Sequence, residues 1–350
     1  MTKYLRNISL ILGLAFISVN VFSEDMVRLD PLNMESTKSS RAHHVLITSV
    51  VRAADRLVAC GERGVVMLSD DSGQSWHQAD FVPVSVTLTK LYFVDADTGW
   101  AIGHSGVVLK TVDGGKHWKK QLDGFQAAQI ELKAAEKDSA NDSRMQAARY
   151  LVQDGADKPF LGIHFTDALH GIIVGAYGIA FATRDGGKHW ESLIGRIADP
   201  AGRHLYAVVQ QENFIYLAGE QGALFRSDDN SQSFSSLNVG WDGSLFGILP
   251  LGNKSLIAYG LRGKTFASTD QGESWKALNL PETSIVAGHI LSDGAIVLAD
   301  ETGQLHLSKD ATFFNSVGLS ANGPISAFIE SADKQLIFSG ANNLSRRSLK

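Results

Sequence analysis

The sequence GHSGVVLKTVDGGKHW at residues 103–118 recurs along the chain and decides its fold. Five copies have a full Gly-x-x-Gly phrase, and all six have a Ser or Thr five residues after its second glycine and an Asp seven residues after it. Two near-copies and three weaker ones begin at Gly61, Gly175, Gly219, Gly260 and, with the second glycine alone, Gly303. Six copies in one register are an internal repeat, and such a repeat predicts a modular architecture.

The aspartates of the six copies set the period. They recur about every 42 residues, with about 30 extra residues between the second and third copies, and this is the length of a propeller blade of four short strands. Residues 90–122 show the pattern, with apolar runs separated by Gly and Asp turns. The repeated residues are Asp71, Asp113, Asp185, Asp229, Asp270 and Asp310, with Trp76, Trp118, Trp190 and Trp275 closing four copies.

Turn chemistry explains the repeated phrases. Gly-x-x-Gly is typical of a tight hairpin in which glycine supplies a positive φ. In Ser/Thr-x-Asp-x-Gly-x-x-Trp, the hydroxyl and the carboxylate can cap backbone N–H groups while the aromatic ring packs into the sheet. We therefore interpret the six aspartates as structural and not as catalytic carboxylates.

A seventh blade follows the sixth copy, with strands predicted at Ile325–Glu330, Gln335–Gly340 and Leu344–Lys350. This blade lacks an outer strand, and the segment Met26–Leu32 is predicted to add to it, closing the ring and removing two unpaired edges. The predicted fold is thus an all-β, seven-bladed propeller with a small helical insertion between blades two and three.

The amino terminus is typical of an export signal. Lys3 and Arg6 precede an apolar stretch from Ile8 to Phe22, too short to favour a membrane span, and a cleavage site fits after Ser23. We expect a signal peptide at residues 1–23, a single propeller domain at 24–350, and a periplasmic or secreted protein. No cysteine follows the apolar stretch, so a lipid anchor is not expected.

Composition excludes several classes of protein. A net charge of −5 with no long basic run argues against nucleic-acid binding. The single cysteine, Cys60, forbids an intramolecular disulfide, and we expect it to be a buried apolar residue. His43-His44, His117 and His189 lack metal-ligand spacing, so no metal or other cofactor is expected.

The Ser/Thr-x-Asp-x-Gly-x-x-Trp phrase matches the Asp-box, or BNR repeat, of sialidases and other propellers. The "GxxGxxxxTxDGGxxW" wording over residues 41–350 resembles the photosystem II stability/assembly factor family, in its non-photosynthetic bacterial branch. This resemblance implies a non-enzymatic assembly or accessory protein for a membrane complex. Some relatives are associated with RND-type exporters.

The candidate partner-binding residues lie in the Gly-x-x-Gly turns, which in such a propeller share one face with the connections between blades. They are Glu62, Arg63, His104, Tyr177, Glu220, Gln221, Arg262 and Glu301. The insertion at residues 123–159 belongs to the same face, with a helix at Ala127–Lys137 and a second capped by Asn141 or Asp142. Ala128, Leu132 and Ala135 form a stripe on the first, and Met145, Ala148, Leu151 and Val152 on the second. A lid, a docking arm and an inert insertion remain open.

Two other functions stay open: a sialidase-like or other glycoside hydrolase, and a carbohydrate-binding propeller. A sialidase-like site would draw on Arg63, Arg203 and Arg262, with Tyr177, Tyr206 or Tyr259 beside Glu220. Other glycosidases need two carboxylates about 5 to 10 Å apart, for which Glu62, Glu220 and Glu301 are candidates. We expect protein binding without catalysis, by a monomer that engages a membrane protein or a membrane-complex subunit; a small-molecule ligand is left open.

Overall fold

The computed structural model describes residues 30–349 apart from 139–141, 322 and 342. This part of the chain forms seven antiparallel sheets, six of four strands and one of three. The first strand of each sheet lies beside the first strand of the next, and that of the last sheet lies beside that of the first. The sheets therefore close into a ring, and the predicted seven-bladed propeller is confirmed.

Each blade is a meander whose strands run outward in chain order. The strands of blades one to four are β1 (Ile47–Ala53), β2 (Arg56–Gly61), β3 (Val66–Ser69), β4 (His77–Gln78), β5 (Leu88–Phe93), β6 (Thr98–Gly103), β7 (Val108–Val112), β8 (Lys119–Leu122), β9 (Phe160–Phe165), β10 (Gly171–Gly175), β11 (Ala180–Thr183), β12 (Glu191–Ser192), β13 (Leu205–Gln211), β14 (Phe214–Gly219), β15 (Leu224–Ser227) and β16 (Ser235–Ser236). Those of blades five to seven are β17 (Leu245–Gly252), β18 (Ser255–Gly260), β19 (Thr265–Ser268), β20 (Lys276–Leu278), β21 (Ile285–Ile290), β22 (Ile296–Asp300), β23 (Gln304–Ser308), β24 (Asn315–Ser320), β25 (Ile325–Glu330), β26 (Gln335–Gly340) and β27 (Ser345–Ser348).

Apolar side chains on both faces of every sheet pack it against its two neighbours. In β2, Val58 and Cys60 pack toward blade two, whereas Leu57 and Ala59 pack with Ile337 of the last blade. This alternation follows from the two-residue period of a strand. The described residues form seven apolar clusters, one at each contact between blades. The core is thus divided into seven layers.

Cys60 is fully buried in the first of these layers, as predicted. Burial raises the pKa of its thiol to about 12. A thiol that stays protonated near neutral pH is a poor nucleophile and a poor metal ligand. The residue therefore serves packing.

The predicted addition of Met26–Leu32 to the last blade is not what the described residues show. Pro31–Asn33 forms a short 3-10 helix, and Leu32 is buried among side chains of blades one and two. Residues 26–29, like the predicted signal peptide, lie outside the described residues. The ring instead closes laterally: Arg346 donates a hydrogen bond to the carbonyl of Ser72 in blade one. Within the described residues the last sheet has three strands, and apolar side chains join it to the first sheet.

The predicted helical insertion is present between β8 and β9, as α1 (Gly124–Lys137) and α2 (Asp142–Asp154). The Asp123 carboxylate accepts the backbone N–H of Gln126, and Gln126 Oε1 accepts the backbone N–H of Asp123, so a capping box starts α1. No helix of the described residues is long and apolar enough to cross a bilayer.

Candidate functional site

The Gly-x-x-Gly turns and the connections between blades form one face of the ring, here called the hairpin face. Glu62 N–H donates to the carbonyl of Leu46, just before β1, and Glu220 N–H donates to that of His204, just before β13. The turn that holds Asp113 lies at the other end of the blades, where Arg56 at the start of β2 binds the carbonyl of Gly114. We call that end the Asp-box face.

Only the second glycine of each Gly-x-x-Gly phrase has a positive φ, for example Gly64 at 67°. The first glycine is extended and is required by close approach, since a Cβ on Gly61 would lie 2.1 Å from the carbonyl oxygen of Leu46. The residue before the second glycine also takes the left-handed conformation, although it is not a glycine. Five such residues have φ of 52° to 57°: Arg63, Ser105, Tyr177, Gln221 and Arg262. We call these five residues the turn tips.

The three candidate glutamates share one structural contact. The carboxylates of Glu62, Glu220 and Glu301 accept the N–H groups of Leu46, His204 and Ser284, at 3.4, 2.9 and 3.4 Å. Each therefore holds the connection that leads into its own blade. A carboxylate engaged in this way is less available as a general acid or nucleophile, so the glycosidase interpretation is not favoured.

The sialidase-like candidates do not have the contacts or the pKa shifts that such a site needs. Arg203 is paired with Asp199 at 2.9 Å and also binds the carbonyl of Gln221. Tyr259 is buried, and burial raises its pKa to about 12. Burial, and then the charge of Glu220, also raises the pKa of Tyr206. A nucleophilic tyrosine needs the opposite shift.

A row of aromatic rings crosses the hairpin face from blade three to blade five. Tyr177 contacts His204 at 4.7 Å between ring centroids, His204 contacts Tyr206 at 6.4 Å, and Tyr206 contacts Phe246 at 5.7 Å. Tyr177 is 62% exposed, while the other three rings are half-buried. We call these four residues the aromatic row.

Of this row, sequence reasoning placed only Tyr177 among the partner-binding candidates, and it named Tyr206 only for a sialidase-like site. Tyr206 and Phe246 are the second residues of β13 and β17, the strands that line the centre of the ring. The equivalent Thr48 and Thr89 bond to carbonyls of the next blade, at Leu88 and Phe160. The repeat could have predicted this position, because the second residue of the first strand lies at the same place in every blade, close to the turn tip.

The helical insertion is fixed to blade three by a buried charge that the sequence did not single out. Glu131 of α1 is 2% exposed and binds Arg144 of α2 through two hydrogen bonds, at 2.9 and 3.1 Å. It also accepts a hydrogen bond from Ser192 of β12. Ala128 and Ala135 of the predicted stripe are buried, but Leu132 is only half-buried. In α2, Ala148 is the buried member.

A groove of about 680 Å³ separates α2 from the loop that follows β12. Its apolar lining includes Leu151, Ile194, Ile197 and Pro200, and Tyr177 lies at its edge. Tyr177 is therefore shared by the groove and the aromatic row. The insertion and the ring present one continuous surface.

The Asp-box turns on the opposite face use their carboxylates locally. Asp71 accepts hydrogen bonds from the hydroxyls of Ser69 and Ser75, and the Ser69 hydroxyl accepts the N–H of Gly73. In the second and third copies a histidine takes the place of the second serine, and His117 and His189 bind Asp113 and Asp185.

The aromatic residues of the Asp boxes differ in their contacts. Trp118 Nε1 donates to Gly115 and Trp275 Nε1 to Gly272, whereas Trp190 packs under α1 in the apolar cluster between blades two and three. Trp76 is half-buried and packs where blade one meets the last blade. Within the described residues, no three His, Cys, Asp or Glu side chains are grouped to hold a metal ion.

The Asp boxes predict an acid-sensitive fold. Hydrogen bonds from Ser75, Ser233 and Ser274 lower the pKa of Asp71, Asp229 and Asp270 from 3.8 to about 2. A carboxylate with a depressed pKa stabilises the fold above its unfolded value, and this contribution is lost as pH falls through the folded value. We expect the Tm to fall between about pH 4 and pH 2.

Thermal melts of the Asp270→Asn variant across this range test that expectation. The variant should melt lower than the wild type at neutral pH, and its Tm should depend less on pH. Asp55→Asn, which changes an aspartate with a 98% exposed side chain outside the Asp boxes, is the matched control. An equal acid dependence in all three proteins would contradict the assignment.

The family model "Photosynthesis system II assembly factor YCF48" matches residues 21–112 and 141–297. The chain belongs to this family. The photosystem II assembly lipoprotein Ycf48 of Synechococcus sp. (strain CC9902) is 30% identical over 119 residues, which are 33% of this chain and 36% of that protein. The match thus spans about a third of the curated relative.

Solved structures share the fold of this YCF48-family propeller. A structure of YCF48 bound to D1 peptide aligns with a TM-score of 0.64 at 15% identity, covering 88% of this chain and 94% of that one. YCF48 from Cyanidioschyzon merolae aligns at 0.63 and 13%, covering 87% and 96%. The WD40 propeller domain of Doa1 aligns at 0.63 and 12%, covering 90% and 95%. At these identities the likeness concerns the fold alone.

Proposed function

We propose that this protein is a non-enzymatic binding factor that assists the assembly or operation of a membrane complex. It would hold a segment of a membrane-protein subunit against the hairpin face and the helical insertion. The observation that carries the proposal is the aromatic row, which continues into the groove beside α2. Aromatic side chains on a rigid scaffold are typical anchors of protein interfaces.

Family membership supports this proposal. One YCF48 is described in complex with a D1 peptide, and the Synechococcus relative is named an assembly lipoprotein of photosystem II. The glutamate and arginine contacts described above support binding over hydrolysis, because Glu62 and Glu220 accept backbone N–H groups and Arg203 is paired with Asp199. The partner complex itself, including an RND-type exporter, stays a prediction.

Location outside the cytoplasm is part of the same proposal. The apolar amino-terminal stretch is typical of an export signal, and the curated relative is by name a lipoprotein. The helical insertion, which we left open between a lid, a docking arm and an inert element, is proposed as a docking arm. Its exposed aromatic rings, Phe125 and Tyr150, are the contacts that it would offer.

Site-specific photo-crosslinking in the native envelope tests which face of the ring contacts the membrane-protein subunit. Benzoylphenylalanine placed at Arg63, Gln221 or Tyr150 is expected to capture a membrane-protein subunit. The same group at Lys309 or Phe313, exposed on the sixth Asp-box turn, is the matched control and is expected to capture none. Capture from the Asp-box face alone, or equal capture from both faces, would contradict the proposed function.

A further inference from the structure

We infer that the aromatic row takes a basic, extended peptide segment, with Lys or Arg side chains lying against Tyr177 and Tyr206. This inference rests on the proposed function and adds to it the chemistry of the partner segment. Four features carry it: a cation already held by one of the rings, the surplus of carboxylates at the Tyr177–Tyr206 end, the fixed position of the rings, and their spacing.

The row already binds a cation within this chain. Lys158 Nζ lies 4.9 Å from the centroid of the Tyr177 ring, in the geometry of a cation–π contact. Lys158 is itself neutralised by Asp154 and Asp157, at 2.9 and 2.8 Å. With 62% of Tyr177 still exposed, the ring has surface left for a second cation.

Charge around the row favours a basic partner. Arg203 is paired with Asp199, and Arg144 with Glu131 and Asp138, so these two bases near the Tyr177 end of the row and the groove are matched by acids. Glu220 adds a further carboxylate, with His204 as its nearest basic group at 3.9 Å. The carboxylates therefore outnumber the bases at the Tyr177–Tyr206 end.

The rings are held in place before any partner arrives. Tyr177 has φ of 56°, and its N–H donates to Nδ1 of His204 at 2.8 Å. His204 N–H is held in turn by the Glu220 carboxylate. An acceptor at Nδ1 places the neutral imidazole proton on Nε2. A preorganised surface loses little conformational freedom on binding.

The spacing of the rings fits an extended chain. His204 and Tyr206 lie 6.4 Å apart, and Tyr206 and Phe246 lie 5.7 Å apart. Side chains on one face of an extended peptide repeat every two residues, about 6.6 Å. Alternate residues of a partner segment can therefore meet successive rings, and the groove beside α2 continues the track.

Fluorescence anisotropy with a labelled peptide, Gly-Ser-Arg-Leu-Leu-Leu-Arg-Leu-Pro-Ser-Gly, tests this inference, because its two arginines are four residues apart and can meet the first and third rings of the row. The wild-type protein is expected to bind it about tenfold more tightly than the peptide in which citrulline replaces both arginines, because citrulline keeps the shape and removes the charge. A peptide with glutamate at both positions should bind more weakly still. Equal affinity for the arginine and citrulline peptides, or preference for glutamate, would overturn the inference.

Variants of the protein locate the site. Tyr177→Ala combined with Tyr206→Ala should weaken the arginine peptide about tenfold, and Glu220→Gln several-fold while it keeps the acceptor for His204. Phe313→Ala removes an equally exposed ring from the other face and should change nothing. Undiminished binding by the double variant would overturn the placement.

The outcome is separable from that of the proposed function. If crosslinking captures a membrane subunit from the hairpin face while the arginine peptide shows no preference, the function stands and the inference falls. If the arginine peptide is preferred but crosslinking captures a partner only at the Asp-box face, the proposed function falls.

Discussion

Replacing Glu131 with alanine is expected to lower the free energy of unfolding of the helical insertion by about 3–5 kcal/mol, because it leaves a buried arginine without its main partner. Of the two acidic partners that the described residues give Arg144, Asp138 would remain, and Ser192 would lose its acceptor. The side chains of Glu131 and Arg144 are 3% and 13% exposed, so solvent screens this pair little.

Hydrogen exchange measured by mass spectrometry reports this change where it occurs. Amides of residues 124–154 should exchange faster in Glu131→Ala, while those of blades five and six should be unaffected at first. Glu136→Ala removes an exposed glutamate of the same helix and is the matched control. If both variants exchange alike, Glu131 is not what fixes the insertion to blade three.

A methyl group on Gly61 should destabilise the whole ring, by at least about 3 kcal/mol, because the added Cβ has no room that side-chain motion can create. It would lie 2.1 Å from the carbonyl oxygen of Leu46 and 3.0 Å from the Cα of Ile47, and both of these are backbone atoms. Relief requires β1 to move away from the turn, which would disturb the contact with blade two.

Chemical denaturation compares Gly61→Ala with Gly318→Ala. Gly318 has open space around its Cβ position and an ordinary φ, so its substitution should change stability by less than about 1 kcal/mol. Equal midpoints would show that the turn adapts at no cost. The sixth blade shows what adaptation involves: Asp300 replaces this glycine, and its carboxylate accepts the N–H groups of Thr302 and Gln304.

The repeat made the fold predictable because every blade has the same turns at the same spacing between apolar strands. Gly and Asp turns at fixed spacing, with near-continuous apolar strands such as Leu57–Gly61, leave little choice but sheets buried on both faces. The same logic placed β25 and β26 of the last blade at their observed bounds, although this blade lacks the repeated phrase.

The surface was less predictable because it depends on distances between blades. Tyr177, Tyr206 and Phe246 come from three different repeats, and no spacing along the chain shows that their rings meet. Glu131 looks like any helix-surface glutamate until β12 is known to lie beneath it. The position of Asp30–Leu32 was not predictable, because it depends on which apolar surface Leu32 can reach. Leu32 packs in the layer between blades one and two and not at the edge of the last blade.

The turn tips share one left-handed backbone conformation although their side chains differ in chemistry. Five positions with φ within a few degrees of one another carry a guanidinium, a hydroxyl, a phenol, a carboxamide and a second guanidinium. Because five different residue types adopt the same left-handed backbone, the turn does not depend on any one side chain. These positions can therefore vary, like the contact residues of an antibody loop. Substitutions at the turn tips can therefore change what the hairpin face binds while the sheets of the ring stay the same.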